Sequence, residues 1–178
     1  MKELMISAHI FLTVAIAINL YEVIHTIIYF ARDRKGCLTN NIIKWDEYVL
    51  FVGIAGSLCF TIIMILCIFN PGGILTPEET VGEHYAYSLI SFALSIPGLY
   101  LFLVGINQKC IVYDDFFIYV NCLGIKKSYK YDEVELKQMT ASLRCYKHGT
   151  FQFTLSPMQR NYSSLEVARQ TYLMQKNN

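Results

Sequence analysis

The sequence has 178 residues, of which 54% are hydrophobic and only 16% are charged. Soluble domains carry about 25% charged residues, so this composition excludes an ordinary soluble protein and an intrinsically disordered one. The formal net charge is +1, and nucleic-acid binding needs a concentrated basic surface, so we expect no nucleic-acid partner.

Three apolar blocks have the length of a membrane-spanning helix. They cover residues 4–31, 48–69 and 86–106, and a helix that crosses the hydrocarbon core needs about 20 residues. The first block is longer than this, so it must tilt or protrude. A cleaved signal peptide is the alternative for this block, but the apolar sequence continues to Ala31, which favours a retained helix. Pro97 predicts a kink in the third span.

The distribution of lysine and arginine predicts the orientation of the spans. The loop 32–47 carries four basic residues, whereas the loop 70–85 carries none. Short cytoplasmic loops hold the excess of positive charge, so the first loop is predicted inside and the second outside. We therefore expect a multi-pass protein of the cell membrane, embedded in the lipid bilayer, with its N-terminus outside and the residues after Asn107 in the cytoplasm. The four basic residues are Arg32, Arg34, Lys35 and Lys44.

Polar residues of the first span fall on one side of the predicted helix, at steps of one, three, four and seven. They are Asn19, Glu22, His25, Thr26 and Tyr29. A charge at the bilayer centre costs about 2.5–3.5 kcal/mol, so this face should meet protein or water. It could form a proton or cation relay, or a polar contact that holds helices together. The other two spans contain no carboxylate or histidine, so a metal site is not expected.

Small residues form stripes on the other two spans. The second span carries Gly53, Gly56 and Ser57, and the third carries a stripe of Ser88, Ser91, Ser95 and Gly98. Such stripes let helix backbones approach closely, which predicts a compact three-helix bundle or a homo-oligomer of it.

From Lys109 the pattern changes to short aromatic and β-branched runs between turn signals, which predicts an antiparallel β-meander. The predicted strands are 111–113, 116–123, 125–131, 134–139, 143–146 and 150–155. A helix after Ser163 carries one apolar stripe and should cap the sheet. The expected fold is therefore a membrane α-helical bundle over 1–108 followed by a small cytoplasmic α+β domain over 109–178.

Three short runs of this segment carry a resemblance to a known family: Ile-Val-Tyr-Asp-Asp at 111–115, Tyr-Lys-Tyr-Asp-Glu-Val at 129–134, and Leu-Ser-Pro at 155–157. The segment resembles the small PH-like domains of bacterial membrane proteins, particularly the YcxB-like group. The resemblance implies a PH-like fold and a bacterial protein. A full PH fold has seven strands, whereas five or six are predicted here, and that group usually has two spans.

Four lysines of the C-terminal segment could contact anionic lipid headgroups, each worth about 1 kcal/mol near the surface. They are Lys109, Lys126, Lys127 and Lys130. The alternative is an ordinary solvated strand face.

The sequence contains no phosphate-binding glycine-rich loop, nucleophile elbow or zinc motif, so we expect no catalytic residues, no metal and no cofactor. We expect a non-catalytic accessory protein whose PH-like domain binds a cytoplasmic protein partner or the membrane surface. Two alternatives are a subunit of an oligomeric pore, lined by the polar face of the first span, and an immunity-type protein that binds a toxin.

Overall fold

The computed structural model describes residues 2–32, 41–69, 81–140 and 142–176. Arg34, Lys35 and most of the loop 70–85, on which the predicted orientation partly depends, lie outside these ranges. The chain divides into two compact units. The first comprises Met1–Ala31 and Leu50–Phe102, and the second comprises Arg32–Val49 and Leu103–Asn178.

The three predicted spans are confirmed as long apolar helices, each long and apolar enough to cross a membrane. They are α1 (Lys2–Arg32), α2 (Glu47–Phe69) and α3 (Val81–Asn107). Helix α3 continues through Pro97. Membrane helices tolerate an internal proline because neighbouring groups satisfy the carbonyl that it frees.

Helices α2 and α3 meet backbone to backbone in the first unit. A Cβ atom built on Gly53 would lie 2.4 Å from the main-chain nitrogen of Phe102, and one built on Gly98 would lie 2.6 Å from that of Ser57. Only glycine permits this separation. The small-residue stripes predicted from the sequence therefore pack within a single chain.

The second unit contains two antiparallel sheets and a helix. The first sheet has the order β1 (Ile42–Lys44), β2 (Lys109–Val112), β3 (Phe116–Val120) and β4 (Lys126–Lys130). The second has the order β5 (Val134–Met139), β6 (Ser142–Lys147) and β7 (Thr150–Leu155), and helix α4 covers Ser164–Lys176. The six strands and the final helix predicted from the sequence are confirmed, with ends that differ by a few residues.

Alternation along the strands places one face of each sheet in a shared core. Phe117 pairs with Val112 on one side and Tyr129 on the other, and all three are buried. The ring of Tyr119 stacks on that of Phe153 in the second sheet, with 4.0 Å between centroids. Leu165 of α4 is fully buried in the same cluster. The helix therefore covers the core, as its apolar stripe predicts.

Strand β1 was not predicted from the sequence. It comes from the segment between α1 and α2, and it pairs with β2 in the register Ile42 to Ile111 and Lys44 to Lys109. Ile43 is fully buried in the core of the second unit. The second unit therefore extends beyond the sequence-based boundary at residue 108, because part of the first loop folds with the C-terminal segment.

Candidate functional site

The polar face of α1 meets two hydroxyl residues of α2 inside the first unit. Asn19 and Glu22 are one turn apart on α1, and Ser57 and Thr61 are one turn apart on α2, so each pair lies on one side of its helix. Glu22 is fully buried, and Ser57 Oγ donates a hydrogen bond to Glu22 Oε2. We call these four residues the polar cluster.

Asn19 completes the polar cluster. Its Nδ2 donates to Thr61 Oγ1 at 2.8 Å and to the Ala15 carbonyl at 2.8 Å. Thr61 Oγ1 in turn donates to the Ser57 carbonyl at 2.9 Å. The other carboxyl oxygen of Glu22, Oε1, is buried without a hydrogen-bond partner among the described residues. The polar cluster is thus a set of helix-to-helix bonds around one carboxyl group.

The other predicted residues of this face lie elsewhere. Thr26 Oγ1 donates to the Glu22 carbonyl of its own helix at 2.7 Å. The partly buried His25 ring lies 4.1 Å from the ring of Tyr21. Tyr29 is buried, with its ring 5.5 Å from that of Phe30. The structure therefore brings only Asn19 and Glu22 of the predicted face into the polar cluster.

The chemistry open to the polar cluster is narrow. It contains a single carboxyl group, and no group of three or more metal-ligating side chains occurs within the described ranges. Ser57 and Thr61 are polar residues in an apolar span, but their helical spacing alone does not identify Glu22 as their partner. The geometry favours a contact that sets the packing of α1 on α2.

We expect Ser57→Ala to destabilise the first unit by about 1–3 kcal/mol, because it leaves a buried carboxyl group without its donor. Thermal unfolding in detergent measures the loss. Ser95→Ala is the matched control, since Ser95 is equally small and buried and its hydroxyl donates to the Phe92 carbonyl of its own helix. Equal losses in the two variants would contradict a packing role for the polar cluster.

The four predicted lysines do not form one patch. Lys126, Lys127 and Lys130 are exposed on β4, whereas Lys109 is partly buried on β2. Lys109 and Lys126 both pair with Val120, which places them at one end of the sheet. Lys130 pairs with Phe116 at the opposite end.

Lys127 and Lys130 each border a surface groove. Lys127 borders a groove of about 320 Å³ with Tyr119, Ile125 and Phe151. Lys130 borders a separate groove of about 490 Å³, whose other lining residues are Asp115, Phe116, Ser128, Asp132 and Tyr172. The second groove carries both signs of charge and two aromatic rings.

The ionisable groups of the second unit's core are held in their neutral forms. Burial raises the pKa of the Cys145 thiol to about 12, and it also raises the pKa of Cys110 and Tyr131. A thiol is nucleophilic only as the thiolate, so Cys110 and Cys145 serve as packing groups at neutral pH. At the surface, Lys147 Nζ donates to Glu133 Oε2 at 2.6 Å, which lowers the pKa of that carboxyl group.

Comparison with known proteins assigns no role to these features. No family model, curated protein or solved structure matches the chain. The features that bear on function are therefore a buried polar cluster in one unit and exposed lysines beside two grooves in the other.

Proposed function

We propose that this chain is a bacterial three-span protein of the cell membrane whose cytoplasmic PH-like domain is a non-catalytic interaction domain. The observation that carries the proposal is the distribution of side chains on the three helices. Large apolar residues lie exposed on their outer surfaces, while Glu22, Ser57 and Ser88 are buried inside the unit. Hydrocarbon favours this arrangement, because it leaves apolar faces in lipid and pairs polar groups within the protein. Exposed examples are Ile10, Leu20, Ile27, Ile90, Ile96 and Tyr100.

Strand β1 supports the proposed sidedness. Residues 42–44 pair with residues 109–111, which supports placing both segments on the same side of the membrane. Two spanning helices, α2 and α3, separate them in the chain, and an even number of crossings returns the chain to its starting side. The positive-inside bias then favours the cytoplasm for both segments, since Arg32, Lys44 and the basic C-terminal segment share that side.

The strand count supports the PH-like assignment. The described residues contain seven strands, in sheets of four and three, followed by a C-terminal helix. Seven strands and a capping helix are the elements of a PH fold, and β1 supplies the strand that the sequence pattern lacks.

The accessible surface of the second unit supports an interaction role. One of its surface grooves combines Asp115, Asp132 and Lys130 with the rings of Phe116 and Tyr172. Aromatic rings bordered by charges are typical of surfaces that contact a protein partner. The core thiols are protonated at neutral pH and the only described carboxyl group of the polar cluster is buried, so neither offers a nucleophile to a substrate.

The same polar cluster bears on the pore alternative. Asn19 Nδ2 and Glu22 Oε2 bond to Thr61 and Ser57 of their own chain, which favours packing over a cavity shared between copies. A pore predicts ion flux across proteoliposomes that Glu22→Leu lowers, whereas the proposed function predicts no flux.

Membrane extraction and reporter fusions test the proposal. We expect the full chain to stay in the membrane pellet after washing with alkaline carbonate, which releases proteins that do not span the bilayer. A reporter active only in the cytoplasm should work when fused after Asn178, and one active only in the periplasm should not. Release by carbonate, or a periplasmic signal, would overturn the proposed membrane topology.

A further inference from the structure

We propose that the loop joining β3 to β4 enters the interfacial layer of the cytoplasmic leaflet, where Lys126 and Lys127 bind anionic lipid headgroups. The β3–β4 loop is defined here as residues 121–125. This inference rests on the proposed function, since it requires α3 to span the membrane.

The β3–β4 loop presents apolar side chains outward. Leu123 is 68% exposed and Ile125 is 54% exposed. Phe151, which is 52% exposed, borders the same groove as Ile125 and Lys127. An exposed apolar cluster next to basic side chains is the composition of a surface that meets an anionic bilayer.

The β3–β4 loop is held in one conformation by its own bonds. Asn121 Oδ1 accepts hydrogen bonds from the main-chain nitrogens of Leu123 at 3.0 Å and Ile125 at 2.9 Å. Gly124 has a φ of 79°, a conformation that favours glycine. Inserting a preorganised loop costs less conformational entropy than ordering a flexible one.

A direct bond ties the β3–β4 loop to the end of the third helix. Asn107 is the last residue of α3, and its Nδ2 donates to the Cys122 carbonyl at 2.8 Å. Leu103–Asn107 and the loop belong to the same compact unit. If α3 spans the membrane, its apolar residues end at Ile106, so the loop lies at the boundary of the hydrocarbon core.

The position of the single tryptophan agrees with this depth. Trp45 Nε1 donates to Gln108 Oε1 at 2.9 Å, one residue beyond the end of α3. Tryptophan is enriched at the membrane–water interface, where its ring meets the headgroups. We therefore expect the same depth in the bilayer for the end of α3, Trp45 and the β3–β4 loop.

The register of β4 separates the lysines. Lys126 starts the strand directly after the loop, whereas Lys130 lies four residues further along. A strand rises about 3.3 Å per residue, which places Lys130 roughly 13 Å from Lys126. This separation exceeds the Debye length of about 8 Å in physiological salt. Asp114 and Asp115 lie in the turn between β2 and β3, at the end near Lys130. Charge therefore favours an anionic surface at the Lys126 end only.

Tryptophan substitution in the full chain tests insertion. We expect the added fluorescence of Leu123→Trp, reconstituted in vesicles of phosphatidylcholine and phosphatidylglycerol, to be blue-shifted and mostly lost when the acyl chains are brominated. Met174→Trp is the control, because Met174 is 67% exposed on α4. Met174 lies two residues beyond Tyr172, whose ring packs on that of Tyr131. The Tyr131 hydroxyl donates to the Tyr113 carbonyl beside the β2–β3 turn, so Met174 lies toward the end of the sheet opposite the β3–β4 loop. The fluorescence of Trp45 in the unsubstituted protein is subtracted from both.

Charge reversal tests the lysines. Lys126 and Lys130 are both exposed and lie on one face of β4, which makes them a matched pair. In the Leu123→Trp background, Lys126→Glu should lower the ratio of inserted to free loop in anionic vesicles by more than about fivefold, because it removes one lysine, worth about 1 kcal/mol near the surface, and adds a carboxylate that the headgroups repel. Lys130→Glu should leave that ratio unchanged. Equal effects of the two substitutions, or equal insertion in vesicles of phosphatidylcholine alone, would overturn the headgroup assignment.

Carbonate extraction of the same vesicles separates the two proposals. A chain that stays in the vesicles while Leu123→Trp is not quenched would overturn loop insertion and leave the three-span proposal standing. A chain that is released would overturn the three-span proposal itself.

Discussion

Gly53→Ala should separate α2 from α3 and destabilise the first unit by about 3 kcal/mol, the upper part of the range for overpacked sites. The reason is the distance of 2.4 Å between a Cβ at this position and the Phe102 main-chain nitrogen. No real Cβ contact is that short, and the neighbour is backbone, which cannot rotate away as a flexible side chain can. Either the two helices move apart along their whole contact or the new methyl group clashes.

Gly56→Ala is the matched control for this prediction. A Cβ at Gly56 would lie 3.6 Å from the Gly98 Cα, which is ordinary van der Waals contact. Both substitutions remove a helix glycine and gain the same helix propensity, so their difference isolates the helix contact. Thermal unfolding in detergent, read by circular dichroism, gives the comparison. A Gly53→Ala protein as stable as the Gly56→Ala protein would contradict the close crossing.

Gly98→Ala provides the reciprocal test on α3. Its Cβ would lie 2.6 Å from the Ser57 main-chain nitrogen and 2.9 Å from the Gly53 carbonyl oxygen. Ser57 also donates to Glu22, so displacement of α2 should disturb the polar cluster as well. We therefore expect the losses of Gly98→Ala and Ser57→Ala to be less than additive in the double variant, because both act on the same contact.

Ile43→Ala should destabilise the second unit by about 2–5 kcal/mol, the usual cost of truncating a buried isoleucine. Ile43 is fully buried and pairs with Cys110, although it comes from the segment between α1 and α2. Its truncation leaves a cavity in the core of the second unit and weakens the strand that completes the first sheet. The effect should appear in the C-terminal domain, far along the chain from the substitution.

Alkylation of Cys110 measures this effect locally. The Cys110 thiol is fully buried next to Ile43 in the register, so it should react only when the sheet opens. We expect Cys110 to be labelled faster in Ile43→Ala than in the unsubstituted protein, as measured by peptide mass spectrometry. Ile42→Ala is the control, because Ile42 is the half-buried neighbour on the same strand. Unchanged labelling of Cys110 in Ile43→Ala would contradict the placement of β1.

Both predictions concern contacts between segments that are distant in the sequence. The first contact joins two helices through glycine backbones, and the second joins the loop before α2 to the strand after α3. The second contact also has a practical consequence. A fragment that begins at Lys109 lacks β1 and leaves the side of β2 that β1 covers open, so tests of the second unit belong in the full chain.

The three long helices, six of the strands and the final helix follow from local sequence signals. An apolar block of about 20 residues is a local signal, and each of the three blocks forms a helix. The signals that end the strands are equally local, because turn residues lie between them: Asp114 and Asp115, Gly124, and the pair His148 and Gly149. His148 and Gly149 both adopt positive φ, which the two-residue turn between β6 and β7 requires.

The contacts between these elements, and strand β1 itself, depend on the folded chain as a whole. Periodicity places Glu22 on a face of α1, but the rotation of α2 that presents Ser57 to it depends on packing along the whole helix. Ile42–Lys44 is too short to show alternation, and its hydrogen-bond partner lies beyond two helices, so no local pattern predicts β1. The four lysines were equivalent by charge, and strand register then placed Lys109 and Lys126 at one end of the sheet and Lys130 at the other. Local propensity is encoded in neighbouring residues, whereas pairing depends on distant ones that the folded chain brings together.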